Sequence, residues 1–414
     1  MFGDVILLSL IPAALFLAAP MVSDLGAVVR CLRGLGRQRP PAARNASFPR
    51  LLFLVPAHDE EKLIARTVRS LLSQTYPAER LGVYVVADNC RDRTAARARE
   101  AGARVLERDE PGRGGKHAAI GWALDRLPLE AYAAVVIIDA DTEVEPTFSE
   151  YLRRRGPLER ALIQTRVGAS NEDENWLTRL SAVLTVSRWD LALSLKTGAG
   201  LNCPLTGDGS VLGSEILQEY PWEVRTITEG WELYARFSTA GLRIDYAPDA
   251  RLYAQEAKEL GQSRSQRERW TAGRFAVLRR YARSILTTPG MSALQRLDLI
   301  AELSSPGPVM KGFLGCLGAL LALATGAEGA VPVALLFLGP VVQVGLYAGL
   351  CVPLMPDPGA VLRAAAMLPV YAVWRVGVGF RSIFQTGTSR WVRTARHDER
   401  RHLSTPMRQM VVRD

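Results

Sequence analysis

Apolar runs stand near both ends of this chain, and they constrain what it can fold into more than any other feature. Residues 5–23 carry no charge and are mostly apolar, about long enough to cross a bilayer as one helix. Met1-Phe-Gly-Asp4 before them lacks the basic stretch that opens a secretory signal peptide. Arg30, Arg33, Arg37 and Arg39 follow instead. Basic flanks stay on the cytoplasmic side, so the N-terminus is expected outside and residue 30 onward in the cytosol. Further on, residues 312–327 are apolar between Lys311 and Glu328, and residues 329–356 carry no charge. Both are expected to span, as a hairpin. Arg375 interrupts the apolar stretch 361–380, which is expected to be interfacial or re-entrant. The arginine-rich tail from Arg381 then remains cytosolic. A multi-pass protein of the cell (inner) membrane, with the bilayer itself as a partner, is the expectation.

Between these ends the pattern is that of an α/β domain. Leu51-Leu-Phe-Leu-Val55, Val83-Tyr-Val-Val86, Arg104-Val-Leu106 and Ala134-Val-Val-Ile-Ile138 read as strands. Residues 60–73, 91–101 and 116–127 read as helices between them, with apolar residues at helical spacing in the first. Such alternation predicts a parallel sheet with right-handed crossovers. The second half is less regular. A strand at 161–165, a long helix at 177–195, a tight loop Thr206-Gly-Asp-Gly-Ser210, a helix at 228–238, a strand at 243–246 and a basic amphipathic helix at 266–283 are expected. The expected organisation is a membrane helix at 1–28, a basic linker at 29–49, the α/β domain at 50–285, an interfacial helix at 286–306, membrane helices at 307–380 and the basic tail at 381–414.

The chemistry sits at strand ends. Asp139-Ala140-Asp141 follows a buried strand, so both carboxylates can reach one pocket at the edge where open α/β sheets bind ligands. Two hard oxygen donors there suit a divalent cation that also holds a diphosphate. Pro56-Ala-His58-Asp59-Glu60-Glu61 and Asp88-Asn89 stand at the ends of two other strands, together outlining room for a base, a sugar and a metal. Alternatively, they are helix-opening acids and an Asx turn. Gly112-Arg113-Gly114-Gly115-Lys116 opens a helix without P-loop spacing, yet loop glycines with one lysine can cradle a diphosphate. Gln266, Arg269 and Trp270 share one helix face at i, i+3 and i+4. The net charge of +9 includes only five lysines, and no basic run is interleaved with stacking aromatics, so nucleic acid is not an expected partner. The five cysteines form no metal or disulfide pattern.

In this order, Pro-Ala-His-Asp-Glu-Glu, Asp88, Asp139-Ala-Asp141 and Gln266-x-x-Arg269-Trp270 resemble the family 2 glycosyltransferases. The chain is similar to the membrane-bound branch that includes cellulose, hyaluronan and chitin-oligosaccharide synthases and ceramide glucosyltransferase. The resemblance implies a GT-A, Rossmann-like nucleotide-sugar domain set between membrane helices. It implies an inverting transfer from an NDP-sugar, most often UDP, to a lipid or glycan acceptor, with Mg²⁺ or Mn²⁺. By the same resemblance Pro56, His58, Glu60 and Asp88 contact the nucleoside, and Lys116 sits near the diphosphate. Asp139 approaches the ribose or sugar, and Asp141 reaches the metal. Gln266, Arg269 and Trp270 close over the diphosphate and meet the acceptor. Thr228-Glu229-Gly230 matches the family's Thr-Glu-Asp, but Gly230 stands where the family carries its base. Glu229 is the expected replacement, with Glu232 and Asp208 as alternatives. Against it, Thr226-x-x-Glu229 also fits a helix capping box.

Overall fold

A computed structural model describes residues 2–36, 47–110, 112 and 115–384. Part of the linker, Arg113, Gly114 and the tail beyond residue 384 therefore lie outside the described residues. Helix α1 (Phe2–Leu32) leads to strand β1 (Leu51–Ala57), α2 (Ile64–Leu72), β2 (Leu81–Asp88), α3 (Thr94–Glu100), β3 (Arg104–Arg108), α4 (Lys116–Leu124) and β4 (Ala134–Ile137). Next come β5 (Glu143–Val144), α5 (Phe148–Arg153), β6 (Leu162–Ala169), α6 (Trp176–Val186), α7 (Ser194–Gly198), β7 (Ser210–Gly213) and α8 (Ser214–Glu219). Then follow α9 (Glu229–Thr239), β8 (Asp245–Ala254), α10 (Leu260–Thr287), α11 (Ala293–Ser304), α12 (Pro308–Ala324), α13 (Ala330–Cys351), α14 (Pro358–Ala365) and α15 (Leu368–Phe384).

The strands form one sheet in the order β3-β2-β1-β4-β7-β6-β8-β5. The expected parallel pairing holds from β3 to β4. Beyond β4 the sheet is mixed, because β7 runs antiparallel to both β4 and β6. Both faces are covered, which is why β1 and β4 read as unbroken apolar runs. Leu52, Leu54, Val135 and Ile137 enter one core with α4, α9 and α11. Leu51, Phe53, Val55, Ala134 and Val136 enter the other with α2 and α5. Each such side chain contributes roughly 1.5–3 kcal/mol on burial.

Two other expectations change in detail. The helix expected at 177–195 is α6 running through a π-helical segment, Ser187–Leu193, into α7. The strand expected at 243–246 is the longer β8, which bulges where the consecutive Thr165 and Arg166 of its partner β6 pair with Ala247 and Arg251.

Among the described residues, two helical segments, Phe2–Leu32 and Ala330–Leu354, are long and apolar enough to cross a membrane, and up to four spans result if two bent pairs count as one each. Those pairs are α11 with α12, bent by 95°, and α14 with α15, bent by 62°. Leu8, Leu15, Leu320, Leu335 and Val342 stand bare on the outer faces of these helices. Small residues let them approach closely. A Cβ on Gly315 would stand 2.7 Å from the Phe337 carbonyl oxygen.

Charges fasten the apolar helices to the α/β domain. Lys196 of α7 lies 2.7 Å from Asp298 of α11 and 3.6 Å from Asp24 of α1. Ser23 donates to Asp298 at 2.7 Å, while Gln343 and Tyr347 of α13 donate to Asp24 at 2.6 and 2.8 Å.

Candidate active site

Parallel β1, β2 and β4 end on the same edge, so residues just beyond them collect there. Strand β7 adds to this edge from the opposite direction. The antiparallel register pairs Ile137 with Ser210, so two residues outward from each partner Asp139 comes opposite Asp208. Asp208 accepts from the Asp139 backbone N–H at 3.0 Å and from the Thr142 hydroxyl at 2.8 Å. Both oxygens thus hold the Asp139–Thr142 turn in shape. Burial, with Asp139 adding its negative charge, pushes the Asp208 carboxyl up to about 7. Gln164, fully buried in β6, fixes the Asp208 loop: its amide donates to the Asp208 carbonyl at 2.8 Å and accepts from the Thr206 N–H at 2.9 Å.

Lys116 occupies the centre. Helix α4 starts at this residue, after Gly115 with its φ of 129°. Its ammonium stands 2.5 Å from Asp139 and 2.9 Å from Glu229. Burial alone would push the ammonium's pKa down. Asp139, Glu229 and Asp208 more than offset that, so it is raised and Lys116 stays charged. Glu229 opens α9, yet no side chain caps that helix. The capping-box reading of Glu229 is therefore corrected: its carboxylate turns inward to Lys116.

Glycines make this approach feasible. A Cβ on Gly207, where φ is +93°, would stand 2.6 Å from Glu229 Oε1. A Cβ on Gly230 would stand 2.4 Å from the Gly207 backbone nitrogen and 2.6 Å from the Thr206 carbonyl carbon. Contacts that short, to backbone, cannot relax cheaply. Position 230 packs against a loop and has no room for a larger residue.

The alternatives to Glu229 are otherwise engaged. Glu232 accepts from the backbone N–H groups of Arg225 and Thr226 at 2.9 and 2.7 Å, pinning the loop before α9. Asp208 braces the Asp139 turn as described.

On the far side of the edge, Asp88 is only 1% exposed. Arg108 and Asn89 donate to one of its oxygens at 2.6 and 2.7 Å, and the Gly115 N–H to the other at 3.4 Å. Asp88, expected to touch a nucleoside, ties β2 and β3 to the glycine loop from beneath. His58 Nδ1 donates to the Asp88 carbonyl at 2.7 Å, leaving its other ring edge half-exposed. Pro56 is buried within β1. The Glu60 N–H donates to Thr94 at 2.7 Å.

Asp59, Cys90 and Asp92 bring potential ligand atoms within 4.8 Å of one another. Here burial pushes the Cys90 thiol up to about 11. Asp59 accepts from Arg91 N–H at 2.7 Å and Asp92 from Thr94 N–H at 2.9 Å. The group is a staple between two loops. Asp141, by contrast, is half-buried at the sheet edge beside Asp139, in keeping with a cation held by one or two carboxylates plus phosphate oxygens.

Helix α10 crosses the start of α9 where Gly273 meets Thr228. A Cβ there would stand 2.2 Å from Thr228 Cγ2. Gln266, Arg269 and Trp270 lie one to two turns earlier on the same face. Gln266 and Arg269 are half-buried, and Trp270 is 43% exposed.

Sequence reasoning missed Gln164, whose signal was a polar residue inside an otherwise apolar strand. It also missed Trp222, whose indole N–H donates to the His117 carbonyl at 2.9 Å and so holds α4 in place.

The family described as Glycosyltransferase like family 2 matches residues 49–273. A beta-monoglucosyldiacylglycerol synthase of Synechocystis sp. is 27% identical over 290 residues, 66% of this chain and 59% of that protein. A probable glucomannan 4-beta-mannosyltransferase of Oryza sativa subsp. japonica is 24% identical over 305 residues, 68% of this chain and 52% of that one. The chain thus spans between half and three-fifths of the length of these relatives. A mannosyltransferase of Pyrobaculum calidifontis, solved with GDP-Man and Mn²⁺, shares the fold with a TM-score of 0.55 at 17% identity, covering 93% of this chain and 100% of that one.

Proposed function

This chain belongs to the family 2 glycosyltransferases and has their GT-A fold, and on that premise we propose that it moves one hexose from an NDP-sugar, UDP-linked above all, to a membrane lipid or short glycan at the cytosolic face. The observation that carries this reading is the Asp139–Lys116–Glu229 chain of charges at the sheet edge. It joins the donor side of the edge to the helix that faces an acceptor. The similarity to a beta-monoglucosyldiacylglycerol synthase favours a lipid acceptor over a growing polysaccharide.

Glu229 takes the proton of the acceptor hydroxyl, held in orientation by Lys116. An ammonium has three N–H donors, and two meet carboxylates, so the third is free for a diphosphate oxygen. Lys116 and Arg269 offset the charge that grows on the leaving diphosphate. Asp141, with Asp139 beside it, would hold Mg²⁺ or Mn²⁺, which when bound supplies further charge on the diphosphate. Trp270 offers an aromatic face to a sugar ring. His58 and Glu60 line the nucleoside side, with Pro56 and Asp88 supporting them from beneath. Because Glu229 is present in the site, Gly230 does not by itself argue for a degenerate enzyme. The catalytic domain covers about residues 50–285, in the cytosol, with α1 crossing the membrane before it and α12 and α13 crossing as a hairpin after it.

The test incubates the purified full chain with a panel of NDP-sugars and a membrane lipid extract, following released NDP and product mass. A lipid gaining a single hexose supports the reading. A long polymer, or no transfer from any donor, overturns it.

A further inference from the structure

Helix α10 has a second charged face that the reaction does not use. Arg267 and Arg274 lie two turns apart, about a quarter-turn round the helix from Gln266 and on the far side of Trp270 from it. The Arg267 guanidinium stands 6.0 Å from the centre of the Tyr371 ring. Arg274 donates to the Glu302 carbonyl at 3.4 Å. Arg375 of α15 joins them and is only 6% exposed. Its Nη1 is buried with no hydrogen-bond partner, and the charged groups that act on it are Arg267 and Arg274, both positive. The carboxylates that act on Arg274 and Arg267 are already engaged: Glu302 holds Arg188 at 2.7 Å and Lys196 at 3.5 Å, and Glu256 hydrogen-bonds with Ser181.

Arg375 also meets a helix end. Its Nη2 lies 3.4 Å from where a Cβ on Gly307 would stand. Gly307 is the N-cap of the 17-residue α12, and no side chain caps that helix. The N–H groups of a first turn need acceptors and attract anions. A buried guanidinium and an uncapped helix start therefore converge, and among the described residues no carboxylate pairs with this guanidinium. Burying a cation without an anion is costly. A group with several charged oxygens in forked reach of arginine meets both needs.

We propose that Arg375 and the N-terminus of α12, backed by Arg267 and Arg274, bind a phosphate group at the membrane surface. The phosphate is carried by a lipid headgroup or is free. The phosphate chemistry stands on these residues alone. Its lipid source rests on the membrane placement proposed above, since α12 turns 95° from α11 at this point and its apolar body continues from there.

The experiment is calorimetric titration of the full chain in non-ionic detergent with four probes: dioctanoyl phosphatidic acid, dioctanoylglycerol, inorganic phosphate and UDP. Phosphatidic acid should bind saturably and dioctanoylglycerol should not. Arg375→Gln should weaken phosphatidic acid at least tenfold. Arg375→Lys, keeping the charge but losing the fork, should recover part of that loss and guards against a variant that fails to fold. Inorganic phosphate binding as tightly as the lipid, and lost in Arg375→Gln, would support the phosphate site and assign it to a free ion. Phosphatidic acid binding no better than dioctanoylglycerol, surviving unchanged in Arg375→Gln, or being displaced by UDP would overturn the proposal. Sugar transfer is not read, so failure here is distinct from failure of the proposed activity.

Discussion

Replacing Glu229 by Gln separates chemistry from architecture. The amide keeps the shape of the carboxylate and can still accept from Lys116, which now stands 2.9 Å away. What changes is a bond between two charged groups becoming one in which only the Lys116 ammonium is charged, and both fall within the about 1.5–3 kcal/mol of bonds to charged groups. The stability loss should therefore be about 1 kcal/mol, or about 2–4 °C for a domain of this size. Lys116 keeps Asp139 at 2.5 Å, so no buried cation is stranded. Loss of a general base costs about 10²–10⁴ in rate, equivalent to about 2.7–5.4 kcal/mol of barrier. The two effects differ enough to be told apart. Single-turnover sugar transfer should fall by that factor, while NDP-sugar affinity stays within about threefold of the parent, roughly 0.6 kcal/mol. Glu232→Gln and Asp208→Asn serve as controls. Each should lower the unfolding temperature, because each leaves a backbone or hydroxyl donor without its charged acceptor. Normal transfer by Glu229→Gln, with transfer abolished in either control whose unfolding temperature is unchanged, would refute the assignment.

Four further outcomes are expected. Gly230→Asp, which supplies the family's residue, should not raise activity. It should lower stability by roughly 1–3 kcal/mol through overpacking against the Thr206–Gly207 backbone, and a gain in turnover would contradict the geometry. Asp141→Asn should abolish turnover with an unchanged unfolding temperature, and turnover that persists in EDTA would remove the metal from the scheme. Trp270→Ala should raise the acceptor KM more than the donor KM, since its exposed ring contributes little to folding; equal kinetics would return it to the role of a membrane-surface anchor. In a background cleared of the five native cysteines, a membrane-impermeant thiol reagent should label a cysteine at Phe2 in intact cells and spare one at Ser47, and the reverse pattern would invert the topology.

The parts of this structure that were legible in the sequence are local ones. Leu51–Val55 and Ala134–Ile138 announce buried strands because both faces of the sheet are covered, and the acids after them mark the edge. The facing of Asp139 and Asp208 was not legible, because it depends on the register between β4 and β7. Nothing near either residue specifies that pairing. Glu229 shows a local rule losing to a tertiary one: the spacing from Thr226 suits a capping box, but a lysine from another helix claims the carboxylate. The depth of Asp88 was not legible, since Arg108, which covers it, arrives from β3 by crossover. Gly230 looked like a vacancy in a motif. Only the neighbouring loop reveals that the position is full.

The ion pairs around Lys196 bear on how this protein can be handled. Asp298 and Glu302 of α11 lie beyond residue 285, and Asp24 lies in α1, so a fragment trimmed to 50–285 leaves the lysine behind in an apolar setting without its counter-charges. Stranding one partner of a buried pair costs about 3–5 kcal/mol, a large share of the about 5–15 kcal/mol that holds a typical domain folded. Leu299 and Leu303 would vanish from the core in the same cut. The motif-bearing half is therefore not a soluble enzyme with an anchor attached. Attempts to produce it in isolation should give aggregated material, and biochemistry on this chain belongs in detergent or lipid discs from the first purification step.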